Sequence, residues 1–395
     1  MASPKLRFKE FDGNWSILPL KKLCKINQGL QIAIEDRFLE NGNNRYFYIT
    51  NEFLREGSKK SYFIENPPAS VKCIEDDILM TRTGNTGQVV TNVAGAFHNN
   101  FFKIDFDRTL INKNFFVEFF KKDTTQHLIL KYAGASTIPD LNHSDFYRIP
   151  MPYTSLEEQT KIASFLSAVD EKIAQLMQKH ELLSQYKQGM MQKLFSQQIR
   201  FKADDGREFG EWENTVLGDI ADIVGGGTPS TNNEEYWSGD VVWLTPSEIN
   251  QKFIGESKRT ISELGVQKSS AKKLPIGTIL FTSRATIGEV AIAIAEVTTN
   301  QGFQSFISNE KTFNEFLYYW IVNNKKSFIE RASGSTFLEI SKSKIQPMEI
   351  SLPCLEEQTK IANFLSAIDQ KIEVVAQQIE QAKKWKKGLL QQMFV

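Results

Sequence analysis

One segment of this chain occurs twice. Residues 156–173 recur 199 positions later as residues 355–372, and the two copies are identical at 15 of 18 positions. Both begin Leu-Glu-Glu-Gln-Thr-Lys-Ile-Ala, and the correspondence continues without a gap to Phe195 and Phe394. A repeat this close in a chain of 395 residues indicates one structural plan built twice, with a surface used twice for the same partner.

The segments before each copy are much less alike. Residues 27–150 and 224–350 agree only in scattered patches, such as residues 78–81 with 279–282. Diverged parts of a duplicated plan indicate the same task performed on two different targets.

The repeated segment has the pattern of a long helix. Apolar residues recur at steps of three and four over more than four heptads, which predicts two helices of about 40 residues and about 60 Å each. Ser155 and Glu158 form a capping-box sequence at the first helix start, and Cys354 replaces the serine in the second copy. The predicted seam residues are Ile162, Leu166, Val169, Ile173, Leu176, Leu183, Ile361, Leu365, Ile368, Ile372, Val375 and Ile379.

Each apolar seam needs a partner. The other copy fits, because the two helices share register and length and the globular segment between them allows the second to return antiparallel to the first. The alternative is that each helix packs only on its own globular unit. Lys187 and Lys386 interrupt the stripe, and we expect their stems to extend toward solvent near the helix ends.

Composition excludes several classes of protein. The chain has 47 Lys and Arg against 47 Asp and Glu, so charge alone indicates neither a nucleic-acid binder nor a membrane-surface protein. Three cysteines and four histidines lack disulfide or metal-ligand spacing. No apolar stretch follows Met1, and the longest apolar runs are too short to span a bilayer. We therefore expect a cytoplasmic protein without a metal or cofactor.

The diverged segments have the pattern of α/β units. The predicted strands are residues 46–49, 77–80, 101–106, 241–244, 278–281 and 289–297, and the predicted helices are about residues 114–131 and 313–331.

A polar loop containing glycine follows a strand in each unit, at residues 81–87 and 282–288. Its hydroxyls, its arginine and its small residues suit contact with DNA phosphates and base edges. The candidate DNA-contacting residues in these loops and in nearby Gly- and Ser/Thr-rich patches are Arg82, Thr83, Asn85, Thr86, Ser136, Thr137, Thr228, Ser283, Arg284, Thr286, Ser335 and Thr336. The alternative is a turn between strands, in which the arginine pairs with an internal carboxylate and the patches merely cap and turn the chain.

A third glycine-rich stretch occupies residues 225–230. No Gly-Lys-Ser/Thr follows it, so a nucleotide P-loop is excluded. A tight turn after a strand is the favoured interpretation, and contact with DNA is the alternative.

The whole chain resembles the DNA-specificity subunit of a type I restriction–modification system. The resemblance rests on the two repeated helical segments preceded by Pro152 and Pro353, on the Gly-Gly-Gly-Thr-Pro-Ser stretch with residues 236–243, and on the loop at 282–288. The first half departs from the glycine-rich pattern, because Asn-Gln-Gly-Leu at residues 27–30 stands in its place.

This resemblance implies an α/β architecture of two target-recognition domains (1–152 and 200–352) joined by two antiparallel coiled-coil helices (153–199 and 353–395). Each domain would recognise one half of a bipartite site in double-stranded DNA. The helices would set the spacer and dock two methyltransferase subunits, which in turn carry restriction subunits. Adenine methylation, S-adenosylmethionine and ATP would belong to those partners.

Two other functions compete with this one. The chain could be a non-catalytic coiled-coil scaffold with two protein-binding ends, although its diverged loops with arginine and hydroxyl groups favour DNA. A self-sufficient modification enzyme is disfavoured, because the sequence lacks an Asn/Asp-Pro-Pro-Tyr-like methylation tetrad and a helicase P-loop.

Overall fold

The computed structural model describes residues 3–55, 57–58, 60–134, 137–334 and 338–395. Contacts divide the chain into unit 1, formed by Met1–Met177 with Ala376–Val395, and unit 2, formed by Gln178–Val375. Each unit therefore contains the beginning of one long helix and the end of the other. Among the described residues no helix combines the length and apolar character needed to cross a membrane.

Unit 1 is built on two four-stranded sheets and an antiparallel pair of strands. The sheet orders are β2-β9-β6-β7 and β4-β3-β8-β5, and β1 pairs with β10. The strands are β1 Ser16–Pro19, β2 Cys24–Gln28, β3 Arg45–Ile49, β4 Phe63–Glu65, β5 Lys72–Cys73, β6 Ile78–Thr81, β7 Val89–Val90, β8 Gly95–Phe97, β9 Phe101–Phe106 and β10 Pro150–Tyr153. Its helices are α1 Lys113–Lys121, α2 Asp123–Ala133, α3 His143–Arg148 and the first part of α4 Leu156–Phe195.

Unit 2 follows the same plan. Its sheet orders are β12-β19-β16-β17-β14 and β15-β13-β18, and β11 pairs with β20. The strands are β11 Glu213–Val216, β12 Ala221–Gly225, β13 Trp237–Leu244, β14 Phe253–Ile254, β15 Arg259–Ile261, β16 Ile279–Phe281, β17 Val290–Ala293, β18 Val297–Thr299, β19 Gln304–Ser308 and β20 Glu349–Leu352. The helices are α5 Leu217–Ile220, α6 Glu263–Gln267, α7 Asn314–Asn323, α8 Lys325–Arg331, α9 Lys342–Ile345 and the first part of α10 Leu355–Met393.

The single helix predicted in each diverged segment is two helices in the structure. The break falls at Lys122 in unit 1, where the backbone is extended, and at Asn324 in unit 2. An amide side chain satisfies a carbonyl of the last turn in each case: Gln126 donates to Phe120 O at 2.6 Å and Asn324 donates to Trp320 O at 2.8 Å. Neither break contains a proline or glycine, so no helix-breaking residue marks it in the sequence.

The second glutamate of the repeated motif is buried and binds an arginine and a tryptophan. Arg7 donates to both carboxylate oxygens of Glu158, at 2.7 and 2.9 Å, and Trp15 Nε1 donates at 3.1 Å. In unit 2, Arg200 and Trp212 bind Glu357 through the same atoms, at 2.8 to 3.1 Å. These contacts satisfy a charge that burial would otherwise make costly, and they fix each helix start to the first residues of its domain.

The following glutamine joins the same helix start to the domain. Gln159 Nε2 donates to Leu110 O and Thr154 O, at 3.0 and 2.8 Å, and its Oε1 accepts from Asn112 N. Gln358 makes the corresponding three bonds in unit 2, to Lys311 O, Pro353 O and Phe313 N. Both amides are fully buried, so this part of the repeat serves the fold of each unit.

The predicted capping box forms only in part. Ser155 Oγ accepts from Glu158 N at 3.3 Å, as expected for the cap residue. The Glu158 carboxylate binds Arg7, Trp15 and Thr154. The stronger charged partner therefore takes the side chain that the box would have used.

Most of the residues predicted to form the seam are buried, and the others are partly buried. Ile173, Leu183 and Ile372 are partly buried, and the buried members are Ile162, Leu166, Val169, Leu176, Ile361, Leu365, Ile368, Val375 and Ile379. In unit 1 the start of α4 packs with Leu389 and Met393 near the end of α10, and also with Phe115 of α1. Unit 2 likewise joins Met191 and Leu194 of α4 to the start of α10 and to Phe316. Each helix start thus packs on its own domain and also on the end of the other long helix, which runs antiparallel to it.

The seam lysines were expected to extend into solvent, but they are largely buried. Lys386, with its side chain 14% exposed, binds Asp170 at 2.7 Å and Glu118 at 2.9 Å. Lys187, 19% exposed, binds Asp369 and lies 5.2 Å from the ring centre of Tyr319. Because Lys187 corresponds to Lys386 and Asp170 to Asp369 in the repeat, the two units contain the same ion pair. The expectation was wrong because carboxylates on the facing helix compensate each amine in place.

We predict that Glu158→Gln destabilises unit 1 by about 3 kcal/mol, because the change breaks a buried ion pair with Arg7. Glu157→Gln is the matched control, since Glu157 is exposed. Thermal melting with limited proteolysis would measure the effect and locate it. A variant as stable as the control would show that the Glu158–Arg7 ion pair contributes little to the stability of unit 1.

The same comparison has a predicted pH dependence. Desolvation raises the pKa of Glu158, but hydrogen bonds from Arg7, Thr154 and Trp15 outweigh it and leave the pKa below its usual value. The stabilisation is therefore present above the unfolded-state pKa of about 4.3 and is lost as the pH falls through the lower folded-state pKa. The stability difference between parent and variant should shrink in that acid range.

Lys386→Met should also destabilise unit 1, by roughly 3 kcal/mol, because it leaves the buried Glu118 without its closest cation. Lys387→Met is the control: Lys387 is exposed and pairs with Asp123, so its loss should cost about 1 kcal/mol or less. Adding Glu118→Leu to Lys386→Met should restore part of the stability. Equal melting temperatures for the two lysine variants would contradict the assignment.

Candidate DNA interface

A turn of the same construction follows the central strand of each unit. The hydroxyls of Thr81 and Thr282 donate to the carbonyls of Asn85 and Thr286 and accept from the amides at 88 and 289. Gly87 N donates to Thr81 O at 2.8 Å and Gly288 N to Thr282 O at 2.9 Å. These bonds hold the polar tip of each loop in a fixed shape.

Left-handed backbone explains the small residues of the loop. Gly84 and Ala285 have φ of 90° and 62°, and Gly87 and Gly288 have φ of 91° and 89°. A Cβ at Gly288 would also lie 2.7 Å from Lys325 Cγ. Glycine is therefore required at the last position by both conformation and space.

The loop arginine binds a carboxylate in both units. Arg82 Nε and Nη2 donate to Asp140 at 3.1 and 2.7 Å, and Thr83 Oγ donates to the same carboxylate. Arg284 Nε and Nη2 donate to Glu339 at 3.0 and 2.9 Å. The internal pairing that the sequence left open is thus present. Contact of these arginines with DNA stays a prediction.

Burial and charge affect the carboxyl of Asp140 in opposite directions. Desolvation raises its pKa, while the hydrogen bonds from Thr83 and Arg82 lower it, and the pKa ends below the usual value. Asp140 is therefore ionised at neutral pH and forms a full ion pair with Arg82.

The other candidate residues differ in accessibility. Asn85, Thr137 and Thr286 are exposed, and Thr228 is half-buried and donates to Gln301. Thr86 is buried and donates to the carbonyls of Arg82 and Pro139, and Ser283 is fully buried. Thr86 and Ser283 could reach DNA only after the loop rearranged. The candidates Ser136, Ser335 and Thr336 lie outside the described residues.

Polar residues that the sequence analysis missed lie beside the first loop. Gln28 Nε2 donates to Asn99 O at 3.2 Å, and Gln28 Oε1 lies 3.3 Å from His143 Nε2. The His143 ring lies 5.0 Å from that of Phe102, over which Arg82 also sits. Amide side chains such as Gln28 can bind adenine through two hydrogen bonds. The segments that supply this cluster are far apart in the chain, so no local motif marked it.

The Gly225-Gly-Gly stretch is explained by close packing. A Cβ at Gly226 would lie 2.0 Å from Asn300 O, and one at Gly29, in the corresponding position of unit 1, would lie 2.1 Å from Phe97 O. Gly29 is also the glycine that the first half keeps where the pattern is otherwise lost. These contacts favour the tight-turn interpretation, and contact with phosphate stays an alternative. The described residues contain no cluster of His, Cys, Asp and Glu suited to a metal ion.

Comparison with known sequences gives a consistent result over both halves. The chain is 39% identical over 207 residues to the type I restriction enzyme MjaIX specificity subunit of Methanocaldococcus jannaschii, covering 51% of this chain and 48% of that protein. The chain thus spans about half the length of that relative. The MjaVIII specificity subunit of the same organism is 25% identical over 97% of this chain and 94% of its own length.

Solved structures share the fold. The crystal structure of the S subunit of a type I restriction–modification system from M. genitalium superposes with a TM-score of 0.61 at 18% identity, covering 100% of this chain and 99% of that one. A chain from a study of complex assembly and conformational transition in a type I system gives a TM-score of 0.63 at 16% identity, over 96% and 97% of the two chains.

The family comparison covers most of the sequence. A sequence model described as the type I restriction modification DNA specificity domain matches residues 12–185 and 210–384, one match in each half. The chain therefore belongs to the family of type I restriction–modification DNA specificity domains.

Proposed function

We propose that this chain is the DNA-recognition subunit of a type I restriction–modification complex. The two specificity-domain matches carry the proposal, because each falls on a unit with the same loop construction and different loop residues. Domains 1–152 and 200–352 would each recognise one half of a split DNA sequence. The helical segments 153–199 and 353–395 would set the spacer between the halves.

Partner subunits would share in binding the DNA. With a net charge of zero, the chain alone releases few counterions on binding DNA and should bind it weakly. Partner subunits would supply most of the phosphate contacts, and the recognition domains would supply the base contacts. Methyl transfer and ATP-dependent cleavage belong, in this proposal, to those partners, and the complex would act in the cytoplasm.

The repeated helices offer a surface for two copies of one partner. Tyr186 and Trp385 occupy equivalent positions in the repeat, and their side chains are 51% and 54% exposed. Aromatic residues of this kind are common anchors in protein interfaces. We infer that two methyltransferase subunits dock on these helices, one on each copy, and that restriction subunits bind through them.

Methylation sequencing of the host genome with and without this gene would test the function. We predict that one bipartite adenine-methylated motif with a fixed spacer disappears when the gene is deleted and returns on complementation. An unchanged methylation pattern would favour the alternative, a coiled-coil scaffold whose globular ends bind proteins.

Arg284→Ala should weaken recognition of one half-site and leave the other intact, because each domain recognises its half separately. A bidentate arginine–guanine contact contributes about 1–3 kcal/mol of discrimination. Arg207→Ala is a charge-matched control, since the Arg207 side chain is 81% exposed. A loss of affinity that is equal on all sequences would identify Arg284 as a phosphate contact, and no change would assign it to the turn alone.

A further inference from the structure

The two units reach the same ion pair from different loop positions. Arg82 is the second residue of its loop, where unit 2 has Ser283, and Arg284 is the third, where unit 1 has Thr83. The third residue forms the backbone bridge in both units, Thr83 with Asp140 and Arg284 with Glu339. The position of the arginine therefore differs between the copies, while its pairing with a carboxylate at the same place does not.

Only one edge of each guanidinium is occupied by the carboxylate. Nε and Nη2 donate to Asp140 or Glu339, and within the described part of the chain Nη1 has no acceptor in either unit. The Nη1 end, with the second hydrogen of Nη2, is thus left for another ligand. Two parallel N–H donors in this geometry match the O6 and N7 acceptors of guanine.

The carboxylate of each pair is exposed to solvent, which limits what the pair contributes to stability. The side-chain exposures are 17% for Arg82 and 47% for Asp140, and 43% for Arg284 and 40% for Glu339. Solvent screens ion pairs of this exposure, so stability alone does not account for their presence in both units. Fixing the direction of an otherwise flexible side chain does account for it, because less entropy is then lost on binding.

We propose that Asp140 and Glu339 are positioning residues, each holding its arginine so that the free edge of the guanidinium binds a guanine in one half-site. This inference rests on the proposed function and adds the base class to it. Each domain recognises at least one guanine through Arg82 or Arg284, and the carboxylate acts only through the arginine.

The test uses Asp140→Asn and Glu339→Gln in the full chain assembled with its methyltransferase subunits. Bound sequences are selected from a pool of duplexes with both half-sites randomised. Each variant should lose roughly tenfold of its preference for guanine at one base pair of one half-site. The other half-site in the same molecule is the internal control, and Glu339→Asp, which keeps a carboxylate, should restore part of the preference.

Two further measurements separate this role from its alternatives. The salt dependence of binding should stay as in the parent, because the arginine makes no additional phosphate contact. Affinity that rises equally on all sequences, with a steeper salt dependence, would instead show that the carboxylate competes with DNA for the arginine. Unchanged base preference in both variants would also overturn the proposal. If the parent protein itself selects no bipartite sequence, the proposed function is wrong. If the parent selects one and the variants keep its base preference, only the positioning role is wrong.

Discussion

A buried carboxylate at the start of each long helix is the constraint on which the rest of each unit depends. Glu158 and Glu357 are almost fully buried, and an unpaired buried charge would be costly, so each needs its arginine and its tryptophan in place. The neighbouring glutamine accepts a hydrogen bond from the backbone at the start of α1 in unit 1 and of α7 in unit 2. This network explains why the second glutamate and the glutamine of the repeated motif are the same in two halves that differ elsewhere.

The helices could be predicted from the sequence because their signal is local and periodic. A heptad stripe predicts the length, the seam and the partner of a helix together, and Ile162, Leu166, Ile361 and Leu365 on that stripe are buried. The surroundings of the seam lysines could not be predicted, because Lys386 meets Glu118 of α1, 268 residues away by the sequence numbering. Periodicity within one helix contains no information about such a partner.

The candidate site shows the same division. Loop positions 81–87 and 282–288 could be picked out by composition, and the left-handed glycines confirm a tight turn. Their carboxylate partners are 58 and 55 residues further along the chain, and Asp140 stands beside no recognisable motif. The sequence therefore predicted the arginines and named the internal carboxylate as an alternative, but only the fold identifies which carboxylate it is.

Electrostatic balance at the seam limits how far the two domains can diverge. In each unit the same lysine–aspartate pair faces the domain. The domain residue beside the pair must therefore interact favourably with the positively charged amine. In unit 1 that residue is Glu118, an anion, whereas in unit 2 it is Tyr319, whose pKa is raised by burial so that its hydroxyl stays protonated and donates to Asp369. Lys252, which binds Glu315 and Tyr319, supplies a second paired charge there. Two different domains thus accommodate the same lysine–aspartate pair. The domain residue that faces the lysine differs between the units, and the lysine itself is unchanged.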